Sequence, residues 1–282
     1  MKFKFYCRVN EDNNVINFLE TQKIKYEAGP IPKRIYFTIY SDTEGIEDFL
    51  RYIQVLPESL ISKSSVFSNE EMEDANWYSF NVTRMGIDTK NEDYTYEAKC
   101  QYVTQYKNVE IKKCYHLDQI NSFVSSKTPK WKNGYNFCSV ETGNTTKIFC
   151  SDYAKERIIE NGITGVSFMP VLKGYLKTQT PGVSQLIFNN KLPLEAYTLI
   201  GDYEECVCPL CGRINYIFKE PNCDNIRLNK DLLPKGVDAF GSEIIIGYGH
   251  GQELIVISKK FYNLITKELK EKSKHFIFEP VG

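Results

Sequence analysis

One pattern occurs twice in the C-terminal half of this 282-residue chain: a strand, a serine that opens a helix, and a returning strand that ends on Phe-x-Pro-Val. In the first occurrence Thr146-Lys147-Ile148-Phe149-Cys150 reads as a strand, and Ser151 can accept a backbone N–H as N-cap. Tyr153, Ala154, Ile158 and Ile159 then form an apolar stripe, and Asn161-Gly162 supplies a left-handed C-cap. The chain returns through Val166-Ser167-Phe168-Met169-Pro170-Val171. The second occurrence runs Leu254-Ile255-Val256-Ile257, Ser258 as N-cap, a helix with Phe261, Leu264, Ile265 and Leu269 on one side, and His275-Phe276-Ile277-Phe278-Glu279-Pro280-Val281. Serine and proline are 19 residues apart in the first and 22 in the second, a difference that one extra helical turn or a longer loop absorbs. Each helix must lay its stripe on a sheet, and each proline is expected to stop hydrogen bonding at a strand edge. The expected class is α+β, with mixed sheets and short helices. The repeat units span about 145–172 and 253–281.

The N-terminal half reads as a separate α+β domain, residues 1–128, with the C-terminal domain at 129–282. Thr128-Pro129-Lys130 and Asn133-Gly134 are turn chemistry and mark the boundary. Arg34 to Tyr40 reads as a strand, and Thr43 to Ile53 as a helix with Ile46, Phe49, Leu50 and Ile53 on one face. Ser68 and Glu71 make a capping box that opens a short acidic helix. Tyr94 to Val103 alternates apolar and polar and is expected to form a hairpin with Val109 to Tyr115. Leu60 to Lys63, the capped helix, and Trp77 to Val82 suggest a fainter third copy of the repeat, without its proline.

Lysine plus arginine, 35, nearly balance aspartate plus glutamate, 36, so no long-range field steers the chain to nucleic acid or an anionic membrane. The apolar runs at Ile244 to Ile246 and Leu254 to Ile257 fall far short of a membrane span, and no apolar core follows Met1-Lys2-Phe3-Lys4 as an export signal would require. A cytoplasmic protein with a large apolar core, without nucleic-acid or membrane partners, is expected. Nine cysteines without an export signal point to buried thiols or a metal site rather than a disulfide framework.

Few constellations carry chemistry. Gly165-Val166-Ser167 and Gly182-Val183-Ser184 lack the second glycine of a nucleophile elbow. His116, His250 and His275 stand in no zincin or deaminase setting. Gly247-Tyr248-Gly249-His250-Gly251 lies between two strand patterns, so it reads as a hairpin turn rather than a phosphate loop. Ser151 and Ser258 are accounted for by capping. The sharpest local signal is Cys206-Val207-Cys208-Pro209-Leu210-Cys211-Gly212. Its Cys-Pro-x-Cys-Gly run has the shape of a zinc knuckle, with Cys208 and Cys211 able to grip one ion and Cys206 and Cys223 as the nearest further ligands. Three readings stay open there: one structural zinc, a metal-free knuckle, and a redox dithiol of Cys208 and Cys211. Glu70, Glu71, Glu73 and Asp74 form an acidic group that could face a basic partner. Asp202, Glu204 and Glu205 form a second.

Ile148-Phe149-Cys150-Ser151, then Gly162 through Val171, resembles the bacterial immunity-type proteins that include the double-CxxCG motif group of myxobacteria. The order that follows, Cys208-Pro209-Leu210-Cys211-Gly212, Asp238-Ala239-Phe240, Ile255-Val256-Ile257-Ser258 and Phe278-Glu279-Pro280-Val281, is similar to that group as well. That group carries two CxxCG elements, and this chain has one. The resemblance implies a cytoplasmic, non-enzymatic protein that binds and neutralises a cognate toxin. The alternatives are a zinc-ribbon binding module, or a thiol-dependent enzyme using Cys208 and Cys211.

Overall fold

The computed structural model describes residues 2–31, 33–83, 98–99, 118–119, 122–125, 131, 135–142, 145–173, 176–208, 214–219, 226–248 and 252–281. They divide into two units, one within Met1–Asp74 and one formed by Ala75–Lys219 with Asn225–Gly282. The class is α+β, as expected.

The first unit alternates strands and helices: β1 (Lys2–Asn10), α1 (Asn13–Thr21), β2 (Tyr26–Ala28), β3 (Arg34–Tyr40), α2 (Ile46–Gln54), β4 (Leu60–Val66) and α3 (Asn69–Asp74). Its sheet has the order β2-β3-β1-β4, with every neighbouring pair antiparallel. The alternation in β3 buries Ile35, Phe37 and Ile39, which join Cys7 and Val9 of β1 under Val15 and Leu19 of α1 and Ile46, Phe49 and Ile53 of α2. Phe18 stacks on Phe49 at 3.8 Å between ring centroids, tying the two helices. Asp12 caps α1 through the N–H groups of Asn14 and Val15. The Ser68 and Glu71 capping box forms as expected.

The second unit begins with β5 (Trp77–Val82) and three short strands, β6 (Ala98–Lys99), β7 (Asp118–Gln119) and β8 (Val124–Ser125). There follow β9 (Phe137–Thr142), β10 (Thr145–Ser151), α4 (Asp152–Glu160), β11 (Val166–Lys173), β12 (Thr178–Phe188), β13 (Lys191–Leu192), β14 (Tyr197–Leu199), β15 (Tyr203–Val207), β16 (Ile214–Phe218) and β17 (Ile226–Leu228). The last elements are β18 (Ala239–Tyr248), β19 (Gln252–Ser258), α5 (Lys259–Asn263) and β20 (Phe276–Pro280). One sheet has the order β8-β11-β12-β10-β9, and a larger one runs β15-β16-β18-β19-β5-β20 with β13 paired to β18.

Both serine-capped segments fold as strand, helix and strand, but neither pairs its own two strands. β10 and β11 are each antiparallel to β12, which lies between them; β19 and β20 are each antiparallel to β5. The registers correspond. Cys150, just before the cap serine, and Pro170 both oppose Ser184 of β12, while Ile257 and Pro280 both oppose Tyr78 of β5. The left-handed residue comes eleven positions after Ser151, at Gly162, and twelve after Ser258, at Lys270. The additional residue is taken up by a single wider π turn, Leu264–Glu268, at the end of α5. The other two extra residues lie in the loop holding the 3₁₀ turn Ser273–His275, so no extra helical turn is present.

Several expectations are corrected. The chain divides between Asp74 and Ala75 rather than near residue 128, because β5 pairs with β19 and β20 in the C-terminal sheet. For the same reason no third copy forms: β4 belongs to the first unit's sheet and β5 to the second's. Of the expected hairpin only Ala98–Lys99 is described, and it pairs with Asp118–Gln119; the rest, like the turn at 128–134 apart from Trp131, lies outside the described residues. Tyr153 and Ile159 are exposed, which leaves Ala154 and Ile158 as the buried face of α4. Pro170 sits inside β11 at a register shift instead of at its end, whereas Pro280 ends the edge strand β20. β18 and β19 are antiparallel; of the hairpin turn read from the glycines at 247–251, residues 249–251 lie outside the described residues.

An aromatic cluster fixes α5 on its sheet. Phe80 of β5 packs with Phe261, Phe276 and Phe278, and Tyr78 stacks on Tyr262 at 4.1 Å between centroids. Burying side chains of this size is worth roughly 1.5–3 kcal/mol each, so this cluster holds the chain's last strand in place.

Candidate functional site

Each cap serine has a polar partner just ahead of the preceding hairpin. The Ser151 hydroxyl donates to Asn136 Oδ1 at 2.8 Å and accepts the Ala154 N–H at 3.1 Å. The Ser258 hydroxyl donates to Asp238 Oδ1 at 2.8 Å and accepts the Phe261 N–H at 3.3 Å. The Ser151 and Ser258 N–H groups donate to the Asn136 and Asp238 carbonyls, at 2.8 Å in both cases. Both serines are buried and saturated, so neither is placed as a nucleophile.

The same two partners join the segments to each other. Asp238 Oδ2 accepts the Thr164 N–H at 3.0 Å, in the loop that follows α4, and the Asp238 N–H lies 3.2 Å from the Thr164 carbonyl. Asn136 donates its N–H to Glu271 Oε1 at 2.5 Å, in the loop that follows α5. Each helix-following loop thus closes on the residue that holds the other helix's cap. Lys260 spans the same junction, donating to the Gly162 carbonyl at 2.7 Å and pairing with Asp238 at 3.5 Å. Arg157 of α4 pairs with Glu268, beyond α5, at 2.6 Å. A Cβ on Gly165 would collide with the Ala239 carbonyl oxygen, so the loop approaches β18 at backbone distance.

Sequence reasoning took Asp238 only as part of a motif and did not single out Asn136. Asp238 directly precedes β18 and Asn136 directly precedes β9; only that matching offset could have revealed their shared role.

The cysteine knuckle joins β15 to β16, whose pairing ends at Val207 and Ile214. Cys208 is buried and Cys206 half-buried; Cys211 and Cys223 lie outside the described residues. Among the described residues no three His, Cys, Asp or Glu side chains converge as a metal site would need. Burial pushes the Cys7 thiol up to about 12 and the Cys150 thiol further, so both are poor nucleophiles near neutrality. The His275 ring packs at a tilt against Tyr135, with centroids 5.0 Å apart, and His116 and His250 are outside the described residues.

A groove of about 590 Å³ runs between the first turn of α4, at Asp152, Lys155 and Glu156, and the start of β12, at Gln179, Thr180 and Ser184. No histidine or cysteine lines it. Of the acidic group, Glu71 is engaged in its capping box, and Glu70, Glu73 and Asp74 are exposed along α3. Among the described residues no helix is long and apolar enough to cross a membrane. No family model matches this chain, and no curated protein sequence matches it.

Proposed function

We propose that this chain is a cytoplasmic immunity-type protein that binds and neutralises a cognate toxin through a protein interface, without catalysis of its own. One observation carries the reading. The short blocks on which the family resemblance rests lie far apart in sequence, yet Thr164, Asp238 and Ser258, one from each of three blocks, meet in a single hydrogen-bonded junction. Phe278 of a fourth packs on Phe80, which in turn packs on the α5 residue Phe261. Shared short motifs have a physical reason to occur together when they build one interlocked scaffold.

On this reading the two serine-capped segments are copies of one unit, and the supporting facts are their equivalent registers, their exchanged loop contacts and the single residue taken up by the π turn. The scaffold holds the surface, and the surface meets the toxin. Glu70 and Asp74 would face a basic patch of that partner. The knuckle of Cys208 and Cys211, with Cys206 and Cys223, would hold one structural zinc that closes the β15 and β16 hairpin.

The test is co-expression with the toxin encoded in the neighbouring reading frame. Cells carrying this protein should survive induction that kills cells without it, and the two proteins should co-purify. Equal killing with and without this protein, for that toxin and its close relatives, would falsify the proposal.

A further inference from the structure

Among the described residues of the first unit, the buried core lies on one face of the four-stranded sheet, under α1 and α2. Residues alternate along a strand, so those between the core positions occupy the other face. They are Lys4, Tyr6 and Arg8 on β1, and Tyr36, Thr38 and Tyr40 on β3. The antiparallel register sets Lys4 beside Tyr40, Tyr6 beside Thr38, and Arg8 beside Tyr36. The tyrosines therefore sit on the two central strands, interleaved with cations. Tyr6 is 45% exposed and Tyr40 43% exposed, and the Tyr6 and Tyr36 rings lie 6.3 Å apart.

The cations of this region differ in their partners. Lys2 is paired with Asp42, and Arg34 with Glu58. Arg8, on the central strand β1, has a buried Nε with no hydrogen-bond partner. A half-buried guanidinium left in that state is costly, and a bidentate carboxylate offsets the cost best. Elsewhere the unit's surface carries both signs, with Glu44, Glu47 and Asp48 around the start of α2, the carboxylates of α3, and exposed Lys23, Lys25 and Lys33. A continuous phosphate backbone would run against those carboxylates, whereas a protein brings one carboxylate to one point. Exposed tyrosines around an arginine are also the usual composition of a protein hot spot.

We infer that the open sheet face centred on Arg8 is a docking surface for a protein partner, with a partner Asp or Glu pairing with Arg8 and partner apolar side chains lying on Tyr6 and Tyr40. The inference rests on the immunity reading for the partner's identity, the toxin.

The test measures binding of the full chain to the neighbouring-frame toxin, carrying a substitution that abolishes its activity, by calorimetry at two salt concentrations. Wild type should bind, Arg8→Met should weaken binding at least tenfold, and Arg8→Lys should restore part of it. Tyr6→Ala and Tyr40→Ala, at exposed positions that the core does not use, should each weaken binding several-fold with unchanged thermal unfolding. If wild type binds and all four variants bind equally well, the surface assignment falls and the immunity reading stands. If wild type does not bind, both fall. A fluorescein-labelled single-stranded RNA 12-mer serves as the competing probe: binding by wild type that is lost in Tyr6→Ala and Tyr40→Ala would overturn the protein partner in favour of nucleic acid.

Discussion

The Ser258 hydroxyl donates to Asp238 Oδ1 at 2.8 Å while accepting the Phe261 N–H, so one side chain both starts α5 and ties it to the strand before it. Because Asp238 Oδ2 also receives the Thr164 N–H, the carboxylate is shared between the cap of one segment and the loop of the other. Its side chain is only 14% exposed, so water replaces these contacts poorly.

Asp238→Ala should therefore destabilise the second unit by about 2 kcal/mol, the scale for losing hydrogen bonds to a mostly buried charge. Asp238→Asn retains one acceptor and should cost less. Denaturant titration followed by tryptophan fluorescence measures both. Equal stability of wild type and Asp238→Ala would show that the junction contributes nothing.

Gly165 and Gly182 both have positive φ, +86° and +77°, but differ in surroundings. An alanine at Gly182 meets nothing within 4 Å and should cost only the left-handed penalty, about 1–2 kcal/mol. At Gly165 the new Cβ meets the Ala239 carbonyl and the Val237 side chain, so the loss should be larger, about 3 kcal/mol or more. The comparison of the two unfolding midpoints is the check.

The Asp12 carboxyl is held below the ordinary carboxylate range chiefly by the Val15 N–H, with the Tyr52 hydroxyl and the Asn14 N–H assisting. A lowered folded value means that its stabilisation is fully present above the unfolded value of about 3.9 and disappears as pH falls through the folded one. Asp12→Asn caps without titrating. The stability difference between wild type and Asp12→Asn should thus be constant from pH 5 to 8 and shift against wild type below about pH 4. Thermal melts at stepped pH would show it; a difference that does not change with pH contradicts the assignment.

Thiol chemistry should separate the cysteines. With burial holding Cys7 and Cys150 protonated, neither should react with a disulfide reagent at pH 8 until the chain unfolds, whereas half-buried Cys206 should react in the native state if it holds no metal.

Zinc content decides the knuckle. Protein purified without chelator should carry close to one equivalent by elemental analysis and lose it with Cys208→Ser. A content far below one equivalent leaves Cys208-Pro209-Leu210-Cys211-Gly212 without a metal.

What could be read from the chain alone is what depends on neighbours within a few residues. Ser151 and Ser258 as caps, the Ser68 and Glu71 box, the left-handed Gly162, and the strand at Arg34–Tyr40 all follow from side chains reaching the backbone three residues on or from simple alternation. The open face of the first sheet is implicit in the same alternation, but β1 had to be placed beside β3 before Arg8 and Tyr36 became neighbours.

Strand partnership has no such local signature, because a strand's hydrogen-bonding edges look the same whichever chain segment meets them. β5 therefore read as part of an N-terminal domain ending at residue 128, whereas folding sets it between β19 and β20 and moves the division to Asp74. Asp238 and Asn136 likewise acquired their shared role only when two loops distant in sequence closed on them. The two serine-capped segments were visible as two strings of residues; tertiary packing decided that each has a strand from outside it between its own two and that each helps to hold the other's cap.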